Sequence, residues 1–381
     1  MLRPIMKRIV MKLRAAVSAC PTLRTAAYWG TVIARDVRGI FASRAFDLGN
    51  LPTDVNIEPS NLCNANCVFC AYQHQTRPHQ SISDDLARQI IDQARSAGVK
   101  RLGLTPIVGE PLVNRGLEDL IRYARRPPTP LSAGVTTNGL LLTQKRYLSL
   151  IEAGITHIAI SMSYPDAEEY ARVYRNPSFN TLMRNLEGVL DVYERSQCEV
   201  ALGIRSSRPD GWNHPLFERA RSAGWSVERN VFLDDWSGSV ADEIRKHGLV
   251  IRPLRPKRLP CSMLYTGPHF LSDGRATACG CRDVDGGSEL QLTAESLLGD
   301  MQAVYRSGEI ESVRERFRRG ATPAICASCR HYTPQFEGEH VSRRLAQTFA
   351  DGVAATRDVL PRRRKRRQLH VLNTERDSSA S

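Results

Sequence analysis

Short apolar runs alternate with amphipathic helical patterns along residues 54–232. Each apolar run has the length of a strand, and the segment after it is long enough for a helix. This alternation at a near-regular pitch predicts parallel strands joined by helical crossovers. The predicted strands are 54–58, 101–105, 132–136, 157–162, 199–205 and 226–232, and the predicted helices are 84–97, 117–124, 143–153, 181–195 and 215–223.

About six strand–helix units are too few for a closed eight-stranded barrel. We therefore predict an α/β fold, a partial (β/α)6 TIM-like barrel followed by a small Cys-rich C-terminal domain. Ligands of such a fold gather where the carboxyl ends of the strands open into loops. The predicted segments are a basic amphipathic N-terminal extension (1–48), the barrel (49–240), a Pro- and Arg-rich linker (241–260), the Cys-rich domain (261–335), a C-terminal helix (336–360) and a basic disordered tail (361–381).

The net charge of +13 is confined to the two ends of the 381-residue chain. Residues 1–44 hold nine Lys or Arg and one Asp, and residues 361–381 hold seven Lys or Arg and two acids, so the body is neutral. We therefore do not expect nucleic-acid binding by the body. The N-terminal extension suits a helix packed on the body or a peripheral membrane contact. The absence of an 18-residue apolar stretch excludes a conventional membrane span.

Eight of the ten cysteines fall in two groups, a pattern unlike that of a small disulfide-rich secreted protein. The N-terminus lacks a clean apolar segment followed by a cleavage site. We expect a reducing, cytoplasmic protein whose thiols bind metal, with the inner membrane surface as an alternative location.

The first group, Cys63, Cys67 and Cys70, follows the first predicted strand with the spacing C-x3-C-x2-C. A structural zinc site needs four ligands, for which His74 and His79 are weak candidates. A four-iron cluster held by three cysteines leaves one iron open to a substrate or cofactor.

This motif, with Phe69 before its last cysteine and its place after the first strand, resembles the radical S-adenosylmethionine (SAM) superfamily. The resemblance covers residues 54 to about 232. It implies a [4Fe-4S] cluster on the three cysteines, with SAM on the open iron. One-electron reduction, by a partner such as flavodoxin or ferredoxin, would cleave SAM to a 5′-deoxyadenosyl radical that abstracts hydrogen from a substrate.

The resemblance also implies SAM contacts from the loops after the following strands. Gly109-Glu110-Pro111 is similar to the family's glycine–glutamate–proline segment, although Val108 replaces the first of its two usual glycines. Arg205 either pairs with the SAM carboxylate or is a surface arginine. Each of these residues also fits an ordinary loop. The implied cofactor contacts are Phe69, Gly109, Glu110, Pro111, Asn138, Ser161, Ser163 and Arg205.

The second group comprises five cysteines, with a predicted turn at Asp273-Gly274 between the first two. It resembles the auxiliary-cluster domain called twitch, a shortened SPASM domain. This resemblance implies a second [4Fe-4S] cluster, and a zinc ribbon is the competing interpretation. The implied ligands are Cys261, Cys279, Cys326 and Cys329, with Cys281 as a spare thiol, a redox partner or an alternative ligand.

A fully ligated second cluster suits electron transfer, so we favour dehydrogenation of a small polar substrate. By analogy with twitch-bearing dehydrogenases of aminocyclitols, that substrate is a sugar or cyclitol alcohol. Radical modification of a peptide or protein is the alternative, and a metal-stabilised module that binds nucleic acid through its tail is a third. Asp234, Asp235 and Trp236 are candidate substrate contacts or catalytic residues at the barrel mouth, or else a loop with an aromatic anchor.

Overall fold

A computed structural model of the protein describes residues 20, 22–23, 25–30, 32–33 and 52–334, without 196, 209–213, 258 and 307. Most of the predicted N-terminal extension, the C-terminal helix at 336–360 and the basic tail at 361–381 therefore lie outside the described residues. Within the described part of the chain, no helix is long and apolar enough to cross a membrane.

Six strands form the parallel sheet that the sequence predicts, and they are hydrogen-bonded in chain order from the first to the sixth. This arrangement confirms the α/β partial barrel. The strands are β1 (Asp54–Ile57), β2 (Arg101–Gly103), β3 (Ser132–Thr137), β4 (His157–Met162), β5 (Glu199–Arg205) and β6 (Ser226–Asn230).

The crossover helices begin and end close to their predicted limits. Ser83 caps the first of them by accepting a hydrogen bond from the Leu86 N–H, as the sequence predicts. One additional helix lies after β4, where the sequence analysis leaves a loop. The helices are α1 (Asp84–Ser96), α2 (Leu117–Ala124), α3 (Gln144–Ala153), α4 (Ala167–Tyr174), α5 (Phe179–Val192) and α6 (Pro215–Ala223).

Buried and half-buried side chains alternate along the strands, so one face of the sheet contacts the hydrophobic core and the other faces the barrel interior. In β3 and β4, every second side chain is buried, and Val135, Ile158 and Ile160 belong to the hydrophobic core. The intervening positions are only half-buried and include polar side chains such as Thr136 and Ser161. Because successive side chains point to opposite faces, the sheet packs apolar residues on one face and presents polar ones on the other.

Residues 241–260, which the sequence predicts to be a linker, contain regular structure. Helix α7 (Ala241–Lys246) buries Ile244 completely, and the strands β7 (Phe232–Leu233) and β8 (Val250–Ile251) pair in parallel. The prolines and basic residues that suggest a linker begin only at residue 252, beyond this helix and strand.

The Cys-rich segment extends the barrel sheet. Strand β9 (His269–Phe270) pairs in parallel with β1, and β10 (Ala276–Thr277) and β11 (Gln291–Leu292) follow antiparallel, so that the described residues form a nine-stranded sheet. Strand β9 therefore places the Cys-rich segment beside the strand that precedes the first cysteine group. The remaining helices are α8 (Met263–Thr266), α9 (Ala294–Arg306), α10 (Glu309–Arg318) and α11 (Ala324–Ala327).

Candidate radical SAM site

The first three cysteines lie in the loop after β1, at the carboxyl edge of the sheet. The Cys70 N–H donates to the Cys67 carbonyl at 3.1 Å, and the Cys63 N–H donates to the Tyr72 hydroxyl at 3.2 Å, which fixes the loop between its thiols. All three cysteines line one cavity of about 450 Å³. The structure thus brings the predicted ligands together at one site.

Burial disfavours the charged form of these thiols. It raises the pKa of Cys63 to about 12 and raises the pKa of Cys67 well above its ordinary value, and repulsion between the cysteines adds to the effect at both. Among the described residues, no three His, Cys, Asp or Glu side chains converge closely enough to hold a single metal ion. Three cysteine thiols that line one cavity are a donor set that fits a [4Fe-4S] cluster with one open iron.

Glu110 connects the loop after β2 to the loop after β3. Its buried carboxylate accepts hydrogen bonds from the Thr137 hydroxyl at 2.7 Å and the Asn138 N–H at 2.8 Å, and from the Leu112 N–H at 3.1 Å. Burial raises the pKa of Glu110 to about 7, although these donors oppose the shift. The role of the Glu110 side chain is to hold the two loops together at the cavity wall.

Asn138 connects the third loop to the cysteine loop. Its side-chain amide donates to the Asn64 side-chain oxygen at 2.6 Å and lies 4.0 Å from the Cys63 sulfur. The backbone of Gly109 packs closely against Ser60, because a Cβ on Gly109 would lie 2.5 Å from the Ser60 carbonyl oxygen. Its φ of +143° also favours glycine.

Arg205 at the end of β5 is held inside the barrel. Its Nε donates to the Ser161 hydroxyl at 2.7 Å, and its guanidinium lies over the Phe69 ring at 5.2 Å. The Ser161 oxygen is 2.8 Å from the Tyr174 hydroxyl, and the Tyr174 ring packs edge-on against Phe69. Arg205, Ser161, Phe69 and Tyr174 all line the cavity.

Sequence reasoning missed Tyr174 because it missed helix α4. The available signal was Asp166, whose side chain accepts a hydrogen bond from the Glu169 N–H at the start of that helix. An acidic cap followed three residues later by Glu is typical of a helix start.

Several predicted site residues lie away from the cavity wall. Ser163 is buried and donates its hydroxyl to the Tyr164 carbonyl at 2.9 Å, and Pro111 begins a buried 3₁₀ turn. Asp235 pairs with Arg330 at 2.7 Å. None of Ser163, Pro111 and Asp235 is among the described residues that line the cavity.

Asp234 and Trp236 do line the cavity, and both contact Arg282. Asp234 Oδ2 is 2.5 Å from Arg282 Nε, in an ion pair without a well-directed hydrogen bond, and the Arg282 guanidinium lies 4.4 Å from the Trp236 ring centroid. The Trp236 indole N–H donates to the Phe69 carbonyl at 2.9 Å. This cluster joins the barrel mouth to both cysteine-bearing segments.

The five C-terminal cysteines line a second cavity together. Burial raises the pKa of each thiol, to about 11 for Cys329. Cys281 and His331 line this cavity and the first one as well, so they form a shared wall. The cysteines of the second cavity are Cys261, Cys279, Cys281, Cys326 and Cys329.

Comparison with known proteins finds a family match for part of the chain. Residues 57–201 match the model of the radical SAM superfamily. A GTP 3′,8-cyclase of Pelotomaculum thermopropionicum is 33% identical over 140 residues, which are 36% of this chain and 42% of that relative. The chain thus spans less than half of the length of this curated relative.

Two solved structures share the fold. The structure of BtrN in complex with AdoMet and 2-DOIA has a TM-score of 0.53 at 16% identity, covering 76% of this chain and 97% of BtrN. That of Streptococcus suis SuiB bound to precursor peptide SuiA has a TM-score of 0.51 at 14% identity, covering 74% of this chain and 72% of SuiB. Residues 57–201 of the chain therefore carry a radical SAM domain, and the cofactors of such a domain are a [4Fe-4S] cluster and SAM.

Proposed function

We propose that this chain dehydrogenates a small polar substrate, with a sugar or cyclitol alcohol as the substrate class. The observation that carries the proposal is the single cavity bounded on one side by Cys63, Cys67 and Cys70 and on the other by Cys281 and Arg282. A molecule in this cavity lies between the two cysteine groups.

When bound, the first cluster and SAM supply a 5′-deoxyadenosyl radical that takes a hydrogen atom, and an auxiliary [4Fe-4S] cluster supplies an electron acceptor. With both groups bound, the substrate alcohol would give its carbon-bound hydrogen atom to the radical, one electron to the auxiliary cluster and its hydroxyl proton to water, and it would become a ketone. The proposed ligands of the auxiliary cluster are Cys261, Cys279, Cys326 and Cys329.

Within this proposal, the chain's own residues orient and enclose the reactants. Asn138 and Glu110 hold the loops beside the cysteines, and Arg205 is available for the SAM carboxylate because Ser161 occupies only its Nε. Gly109 lets the loop backbone approach without a side chain. Trp236 closes the wall between the barrel and the Cys-rich segment.

The partners of the reaction are also proposals. We propose a flavodoxin or ferredoxin as the one-electron reductant and a cytoplasmic location. Contact of the basic N-terminus with the inner membrane surface would appear as co-sedimentation with anionic vesicles at low salt. No co-sedimentation under those conditions would exclude this contact.

Hydrogen abstraction is tested by anaerobic incubation of the reconstituted enzyme with dithionite, SAM and carbon-deuterated sugars or cyclitols. We expect deuterium in 5′-deoxyadenosine and formation of a ketone. The Cys63→Ala variant is the control and should form neither product. Label from deuterated peptides, without label from the alcohols, would replace this proposal with peptide modification.

A further inference from the structure

The wall of the first cavity holds more arginines than carboxyl groups. Three arginines line it, Arg205, Arg252 and Arg282, against the carboxyl groups of Asp234 and Glu110. Asp234 is paired with Arg282, and Glu110 is occupied by three hydrogen-bond donors. Neither carboxyl group is therefore free to neutralise the other two guanidiniums.

Arg205 and Arg282 have partners that account for their positions. Arg205 donates to Ser161 and lies over Phe69. Arg282 is fixed by Asp234 and Trp236, and both guanidiniums attract the Cys70 thiolate. The positions of Arg205 and Arg282 are thus explained by their contacts with the cysteine loop and with the wall between the two cavities.

Arg252 differs from these two arginines. Among the described residues, its guanidinium forms neither a hydrogen bond nor an ion pair, although most of the side chain is withdrawn from solvent. It is repelled by Arg282 and Arg205, and Asp234 attracts it without forming an ion pair with it. A buried cation without a close partner is costly, so an anion beside it would be strongly favoured.

The backbone of Arg252 is held on both sides. Its N–H donates to the Leu233 carbonyl at 2.7 Å, and its carbonyl accepts from Arg330 Nη1 at 2.8 Å. The base of the side chain is therefore fixed at the cavity, while the planar fork at its end stays available. Such a fork matches the paired oxygens of a carboxylate or phosphate.

We propose that the substrate of this cavity carries an oxyanion, a carboxylate or a phosphate, and that Arg252 binds it. This inference rests on the proposed function, because it assigns a chemical class to the same small polar substrate. It predicts a sugar or cyclitol alcohol that also carries a carboxylate or a phosphate, rather than an uncharged one.

The test is equilibrium dialysis of radiolabelled inorganic phosphate against the cluster-loaded enzyme, saturated with SAM so that the SAM carboxylate already has its partner. We expect phosphate to bind the wild-type enzyme at least about 10-fold more tightly than the Arg252→Gln variant. Arg252→Lys, which keeps the charge but not the fork, should lie between them. Arg245→Gln is the matched control, since Arg245 is 61% exposed and pairs with Asp242.

Competition with unlabelled acetate shows whether the oxyanion of the substrate is a carboxylate or a phosphate. Displacement of phosphate by equimolar acetate indicates a carboxylate-bearing substrate, and resistance to acetate indicates a phosphate. Equal phosphate binding by wild type and Arg252→Gln, or no phosphate binding by the wild type, overturns the inference. Binding only in the absence of SAM also overturns it, because Arg252 would then hold the cofactor. Ketone formation by the wild type is measured separately, so failure of the proposed function is distinguished from failure of this inference.

Discussion

The carboxylate of Glu110 accepts a hydrogen bond from the hydroxyl of Thr137 at 2.7 Å, and this contact joins the loops after two neighbouring strands. Glu110 is buried, and its pKa is raised from 4.5 to about 7. Between pH 4.5 and about pH 7, Glu110 keeps its proton in the folded protein, whereas the same group in the unfolded chain has released it. The free energy of unfolding therefore falls as the pH rises from 4.5 to 7, by about 3 kcal/mol from this group.

We accordingly predict that Glu110→Gln removes this decrease, because glutamine has no proton to release. The difference in unfolding free energy between wild type and variant should change by about 3 kcal/mol between pH 4.5 and 7.5. Urea unfolding followed by circular dichroism measures it. Glu187→Gln, at an exposed position of α5, is the control. A difference that does not vary with pH would contradict the raised pKa.

Gly109→Ala should weaken SAM binding at least about 10-fold and leave the first cluster in place. The new Cβ would collide with the Ser60 carbonyl, so the loop must move away from the cavity, whereas the cysteines are untouched. SAM binding and iron content measure the two effects. Gly248→Ala is the control, because Gly248 also has a positive φ but open space around it. Equal losses in both variants would assign the effect to backbone strain alone.

Substitutions in the two cysteine groups should affect SAM cleavage and substrate turnover differently. Cys63→Ala should abolish 5′-deoxyadenosine formation, whereas Cys326→Ala should spare SAM cleavage more than substrate turnover. Each variant should lose about four iron atoms per chain. Retained cleavage in Cys63→Ala would contradict the first assignment. About four irons and one zinc in the wild type would mean that the second cavity holds zinc.

Arg314→Met should destabilise the Cys-rich segment by about 3 kcal/mol. Arg314 is 1% exposed, donates to the Leu264 carbonyl at 2.7 Å and the Tyr305 carbonyl at 3.0 Å, and lies over the Tyr265 ring. Its loss leaves buried carbonyls without donors. Thermal unfolding measures the effect.

The matched control is Arg316→Met on the same helix, since Arg316 is 37% exposed and pairs with Glu289. We expect a change of less than about 0.5 kcal/mol there. Equal destabilisation by the two variants would show that the buried hydrogen bonds of Arg314 are not the cause.

The sequence by itself determined the parallel α/β sheet and the position of the first cysteine group. Both depend on local information: strand and helix periodicities differ, and the thiols of Cys63, Cys67 and Cys70 are close along the chain. It also predicted the Ser83 cap, because capping is decided by side chains within one helical turn.

Only the tertiary structure decided which distant residues share a cavity. Arg205, Arg252 and Arg282 converge although up to 77 positions separate them, and no pattern along the chain encodes that convergence. The short strands β9–β11 join the sheet because β1 offers an open edge, which two-residue segments cannot reveal by periodicity. Folding brought Cys281 to the wall between two cavities, since its position depends on how the whole Cys-rich segment packs on the barrel.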